Sequence, residues 1–177
     1  MDTGSRQHIE FLLTRRSIRR FEDKPVPRDL LLKVIDVARY APSAKNLQPW
    51  EFIIVDDPEV KKKLSGIHVG ARPLENAPAA IVVVADKELS PVSYLVDGAN
   101  ATMYILLAAH AYGLGTVWIQ TLRNISEIQK ILGLPENKVP VAIIAIGWPA
   151  EKPGPRPRKP LEELVHINKY GNRLSKQ

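Results

Sequence analysis

Residues 93–119 read SYLVDGANATMYILLAAHAYGLGTVWI, and this stretch decides the fold. From Leu95 to Tyr112 the apolar residues run nearly all round a helical wheel, the pattern of a helix buried in a core. Asp97, Gly98, Asn100 and His110 break the stretch, so it reads as a buried helix and not as a membrane span. Gly113 and Gly115 punctuate its end, and Thr116–Ile119 follows as a strand. The pattern predicts a long central helix over 93–112 feeding a sheet.

Working outward, Ile81–Val84 is a β-branched run that reads as a buried strand, as do Glu51–Val55 and Val141–Gly147. Helical patterns lie between and before them. Residues 6–14 read as a short helix. Pro25 and Pro27 mark a turn, after which Leu31, Val34, Ile35 and Ala38 share one helical face. Asp57-Pro58 offers an N-cap and a first-turn proline to a helix that should stop at Gly66. Ser126 with Gln129 reads as a capping box, with Gly133 as the stop. Strands alternating with helices predict an α+β fold, a three-layer α/β/α sandwich around a central mixed sheet, as one domain over residues 1–177. Residues 149–160 hold five prolines and four basic residues and cannot form helix. They belong to an extended C-terminal arm over 148–177, expected to cross to a partner in a homodimer.

Composition excludes several classes. With no cysteine, there is no disulfide, iron–sulfur cluster, zinc–thiolate site or thiol nucleophile. The four histidines have no ligand spacing, so no metal site is expected. No glycine-rich phosphate loop or G-x-S-x-G elbow occurs. The N-terminus carries no secretory signal pattern, and a cytoplasmic location is expected. The net charge of +6 favours an anionic partner: a phosphate-bearing cofactor, nucleic acid or a membrane surface.

Three polar clusters remain. In Arg15-Arg16-Ser17-Ile18-Arg19-Arg20-Phe21, an extended backbone would put Arg15, Ser17 and Arg19 on one face, able to hold a phosphate. The plainer alternative is a solvated helix end. Ala41-Pro42-Ser43-Ala44-Lys45-Asn46-Leu47-Gln48-Pro49-Trp50 offers amide donors and acceptors ahead of a buried strand, or is a capping turn with Trp50 in the core. Arg156-Pro157-Arg158-Lys159-Pro160 projects two arginines from a stiff segment, suited to an anion or simply a basic tail.

Taken in order, these segments resemble the flavin-dependent nitroreductase family. Arg15–Phe21 is similar to its N-terminal signature and Ala41–Phe52 to its second motif. Gly113–Ile119 is similar to its third, and Gly147-Trp148-Pro149 with Arg158–Leu164 to its C-terminal end. The resemblance spans roughly residues 6 to 165. It implies FMN bound at a homodimer interface. Arg15, Arg16, Ser17 and Arg19, with Arg156 and Arg158 of the arm, would hold the phosphate and ribityl region. One arginine of the N-terminal cluster would lie near flavin N1 and O2. Pro42, Ser43, Ala44 and Asn46 would pack on the flavin from the other subunit. Trp118, Ile119, Gln120 and Thr121 would lie along the isoalloxazine ring, with backbone N–H groups facing N5 or O4. Hydride would pass from NADPH or NADH to flavin N5 and on to a nitroaromatic, quinone or flavin acceptor, with no catalytic side chain required.

Some residues depart from the family pattern. No clear match exists for a basic residue that some members place before the second strand; Arg72 is near, but Pro73 and Leu74 interrupt. Gln120 stands where other branches have an acidic residue or glycine. Nothing between Ala85 and Ser93 is long enough for a substrate lid. Two other readings stand beside this one: a flavin-binding sensor or carrier without turnover, and a nucleic-acid binder that has clustered arginines but no recognition motif. Neither nucleic acid nor membrane is expected as a partner.

Overall fold

The computed structural model describes residues 3–174. Four strands, β1 (Trp50–Val55), β2 (Ala79–Asp86), β3 (Gly115–Gln120) and β4 (Lys138–Gly147), form one sheet in the order β1-β2-β4-β3. All three strand pairings are antiparallel; parallel pairing is confined to a bridge between Ser17 and Thr116. The mixed sheet expected from the alternation of strands and helices does not form: the sheet is antiparallel, because alternation along the chain does not fix strand direction, and the Ser17–Thr116 bridge lies outside it. Pro140 is tolerated within β4 because the β2–β4 register shifts between Val83 and Val84, opposite it.

Strand alternation sends side chains to two faces, and both are covered. Ile81, Val83, Ile144 and Ile146 pack against helix α5 (Tyr94–Ala111) and helix α2 (Arg28–Ala38). Val82, Val84, Ile143 and Ala145 pack against Leu64 of α3 (Pro58–Ser65) and Ile128 of α6 (Ile125–Leu132). This is the expected three-layer sandwich. Each fully buried aliphatic side chain contributes about 1.5–3 kcal/mol of transfer free energy, so the two cores dominate stability. Helix α5 packs closely: a Cβ on Gly98 would stand 2.7 Å from Val141 Cγ2.

Helix α1 (Thr3–Thr14) begins earlier than the pattern over 6–14 suggests, and a short helix α4 (Pro73–Asn76) was not foreseen. The capping box does not form. Asn124 precedes α6, and the Gln129 amide donates instead to the carbonyls of Pro135, Glu136 and Lys138, tying down the loop after the helix. Gly133 ends α6 in the left-handed conformation, φ 67°, as a helix stop requires. Asp57 caps α3 as expected, accepting from Glu59 and Val60 N–H. Residues 151–160 carry no regular structure. Among the described residues, no helix is long and apolar enough to cross a membrane.

Candidate functional site

The chain leaves α1 at Thr14 and runs extended along the outer edge of β3. Ile18 N–H donates to Thr116 C=O at 2.8 Å. The approach depends on glycine: a Cβ at Gly115 would lie 2.8 Å from Ile18 Cγ2. From the other side, Glu151 clamps the segment. Its carboxylate accepts from Arg19 N–H at 2.6 Å and from Arg20 N–H and Nε at 3.2 Å. The Arg19 amide foremost, then the Arg20 side chain, holds this carboxyl below the usual range against its partial burial. The root of the arm is thus tied to the basic segment, and residues 153–158 fold back over it.

That return brings Arg156 and Arg158 to a cavity of about 210 Å³ that they share with Arg15, Arg16, Ser17 and Arg19. The six residues expected to bind phosphate and ribityl therefore converge, although some 140 positions separate the two groups in sequence (from Arg16 to Arg156). Arg16 is partly engaged, donating to Leu13 and Arg15 carbonyls at the end of α1. Arg158 donates to the Arg156 and Pro157 carbonyls. Arg15 is different. It is half-buried, and among the described residues its guanidinium has no hydrogen-bond or ion-pair partner. Burial first, then the charges of Arg16 and Arg158, pull its pKa below the normal guanidinium value. Like charges gathered around a partly desolvated cation call for an anion.

His110, near the end of α5, stacks on Phe11 at 4.9 Å and meets Thr14 Oγ1 at 3.2 Å. Burial foremost, then Arg15 and Arg16, lower its pKa. A larger cavity, about 610 Å³, continues from the basic one between α1, α5 and the arm, with Ile18, Leu114 and Pro149 among its walls.

The segment 42–48 is built on another principle. Lys45, Asn46 and Gln48 have φ of 51°, 56° and 47°, three non-glycine residues in the left-handed region. Each costs roughly 1–2 kcal/mol, so something must hold them. Asp97, 2% exposed, does so from α5. It accepts from Ala44 N–H and from Ser90 Oγ, both at 3.0 Å. Asn100 donates to Pro42 C=O, and Ser43 Oγ accepts from Gln48 N–H. Trp50 is buried in the core, as the plainer reading of this segment had it, yet the turn before it is strained. Pro42, Ser43, Ala44 and Asn46 do not reach the arginine cluster within this chain. Asp97 and His110 sit 13 residues apart on one helix, about 20 Å at 1.5 Å per residue.

At the end of β3, Trp118 is half-buried, Ile119 points into the core and Gln120 is exposed. Thr121 is buried, its hydroxyl donating to Pro140 C=O at 2.7 Å. Arg72, the basic residue whose match to the family pattern Pro73 and Leu74 interrupt, lies close to this region through the turn Val69–Ala71. It shares a cavity of about 430 Å³ with Arg19, beside the turn Val69–Ala71. Pro73, an interruption of the pattern in the sequence, is the first residue of α4 and starts that helix, a position that favours proline.

The nitroreductase family model matches residues 12–87 and 68–148. This chain belongs to the nitroreductase family. It is an oxidoreductase. Among nitroreductase-family relatives, a Methanothermobacter thermautotrophicus protein, provisionally named NADH dehydrogenase/NAD(P)H nitroreductase, is 39% identical over 92% of this chain and 87% of its own length. The FMN reductase [NAD(P)H] of Bacillus subtilis is 32% identical over 93% of this chain and 74% of its own. The solved structure of an FMN-dependent nitroreductase from Clostridium difficile superposes with a TM-score of 0.84 at 38% identity, covering 92% of this chain and 99% of that one. The antiparallel sheet between helical layers is thus the family fold.

Proposed function

We propose that this chain is an FMN-dependent NAD(P)H oxidoreductase, working as a homodimer with one flavin site at each end of the subunit interface. Hydride would pass from NADPH or NADH to flavin N5, then to a nitroaromatic, quinone or flavin acceptor, in a ping-pong cycle. The observation that carries this reading is the convergence of Arg15, Arg16, Arg19, Arg156 and Arg158 with Ser17 on one cavity, around a half-buried Arg15. The relatives named for FMN and NAD(P)H supply the chemistry.

The residues fit a phosphate-bearing group. Guanidinium forks and a hydroxyl are the donors that a phosphate of charge near −2 requires. When bound, FMN supplies the hydride chemistry, so the chain needs no nucleophile or metal of its own. Its residues bind and orient. Arg15, Arg156 and Arg158 would take the phosphate, whose negative charge would offset the burial foremost, and the charges of Arg16 and Arg158, that lower the Arg15 pKa. Arg19 and Arg72 share a cavity beside the turn Val69–Ala71, next to His68, which meets Gln120 at the end of β3; positive charge there would stabilise a ring acquiring negative charge on reduction. Antiparallel pairing alternates, so with Thr116 turned toward Ile18, Trp118 and Gln120 present their N–H groups to the same open edge.

The strained 42–48 turn lies too far along α5 to complete the site of its own chain, which supports its delivery from a partner. Exposed apolar residues support a second copy. Ile9, Leu12 and Leu13 of α1 are 51–69% exposed, and Val96 and Met103 of α5 are 62% and 42% exposed. The proline-rich arm beyond Arg158, with Leu161 and Leu164 exposed, would continue onto that copy. Residues 87–93 form tight turns, held by Asp86, whose carboxyl the Leu89 amide foremost and Lys138 pull down to about 2.

The visible absorption spectrum of the purified protein tests this reading. A flavin spectrum that bleaches anaerobically on adding NADPH or NADH is expected. A colourless protein that takes up no FMN defeats the proposal, and a yellow one that does not bleach makes the chain a flavin carrier.

A further inference from the structure

The end of β3 closes on itself. Gln120 Oε1 accepts from Thr121 N–H at 2.8 Å and from Leu122 N–H at 3.1 Å. Two successive amides aimed at one point make a small concavity for an acceptor, and here the carboxamide oxygen of the neighbouring side chain sits in it.

The backbone around this cap is fixed by other bonds. Gln120 C=O meets His68 Nε2 at 2.8 Å; a carbonyl only accepts, so Nε2 carries the proton. Thr121 Oγ1 donates to Pro140 C=O in the core. Neither bond involves the carboxamide, and Gln120 is exposed. The side chain can swing into solvent while the turn keeps its shape. The Thr121 and Leu122 N–H groups are then left for another acceptor.

We propose that the Gln120 carboxamide is a displaceable placeholder, which competes with a ring carbonyl of the bound flavin for the Thr121 and Leu122 N–H groups and so sets how tightly the ring is held. This rests on the flavin reading above, with the ring lying along residues 118–121. Gln120 is a positioning residue here. A ring carbonyl arriving at the wild-type turn exchanges one set of hydrogen bonds for another and gains little. At a turn without the carboxamide, it satisfies donors that only water had met.

Gln120→Ala and Gln120→Glu therefore act in opposite directions. The alanine variant removes the competitor and should tighten FMN binding roughly threefold to tenfold, the worth of one ordinary hydrogen bond. The glutamate variant puts a carboxylate on the same two donors, makes a stronger charge-assisted cap and should weaken binding by a similar factor. Negative charge on the ring grows on reduction, so the donors freed in the alanine variant favour reduced flavin. Each tenfold of that preference raises the two-electron midpoint potential by about 30 mV.

The test uses full-length chain stripped of flavin: wild type, Gln120→Ala and Gln120→Glu. Each is titrated with FMN by fluorescence, with amide hydrogen exchange at Thr121 and Leu122 followed in the flavin-free protein. The proposal expects faster exchange at both amides and a lower Kd in the alanine variant, and a higher Kd in the glutamate variant. A cap that merely braced the turn would weaken binding in both variants, and that pattern overturns the proposal, as does an alanine variant with unchanged Kd. A wild type that binds FMN while the alanine variant binds no tighter defeats the placeholder alone. A wild type that binds no FMN defeats the flavin reading and the placeholder with it.

Discussion

The two ends of helix α5 carry two clusters built in opposite ways. At its C-terminal end, arginines gather around the half-buried Arg15, and the unfavourable energy stored there is electrostatic. At its N-terminal end, Lys45, Asn46 and Gln48 are held in left-handed backbone by the buried Asp97, and the stored energy is conformational. The first half is relieved by an anion and depends on salt. The second is indifferent to salt and depends on one carboxylate. A site assembled from both can be weakened from either side by different means.

The largest effect should come from the charged half. Arg156→Ala with Arg158→Ala removes two guanidinium groups from the basic cavity. Charge-assisted bonds are worth about 1.5–3 kcal/mol each, so FMN affinity by equilibrium dialysis should fall at least a hundredfold with little change in unfolding midpoint. Retained flavin would put the arm elsewhere. Next comes the strained half. Asp97→Ala strips the acceptor from Ala44 N–H and Ser90 Oγ and should cost about 2–3 kcal/mol in urea unfolding. Flavin binding should weaken too, although Asp97 lies about 20 Å along α5 from the cation cluster of its own chain. Full affinity in that variant would break the two-chain reading.

The smallest effect is a pH dependence. Burial, Arg15 and Arg16 lower the His110 pKa in the fold, with the Phe11 carbonyl partly opposing them. The unfolded chain then binds more protons below about pH 6.5. Stability therefore falls on acidification through that range and is regained above it. His110→Gln should flatten this part of the stability–pH profile. Bound phosphate should flatten it as well, because it offsets the two guanidinium charges. A profile that the substitution leaves unchanged would remove His110 from the cation cluster.

The charged half was largely legible beforehand. The alternation of Arg15, Ser17 and Arg19 needs only an extended backbone, and extended backbone follows from pairing with β3. What brings Arg156 back to that segment is Glu151 gripping the Arg19 and Arg20 amides, and nothing local announces a contact across more than 130 residues. The turn at 42–48 could be located but not its strain, because the bonds that anchor it come from Asp97 and Asn100, residues of another element. Asp97 itself read only as an interruption of an apolar helix. Arg72 was obscured because Pro73 reads as a breaker, whereas at the first position of a helix it is a start. The missing Ser126–Gln129 box shows the same limit: the pattern is real, but three carbonyls of the following loop compete for the Gln129 amide and win.

Helix α5 also has a genetic consequence. If each flavin draws its phosphate grip from one chain and its strained turn from the other, the two halves of a subunit serve different sites. Two defective alleles, one broken at Arg15 and the other at Asp97, would then complement. A hybrid dimer would carry one site with both lesions and one with neither, so a mixture of two dead proteins would recover turnover that neither parent shows.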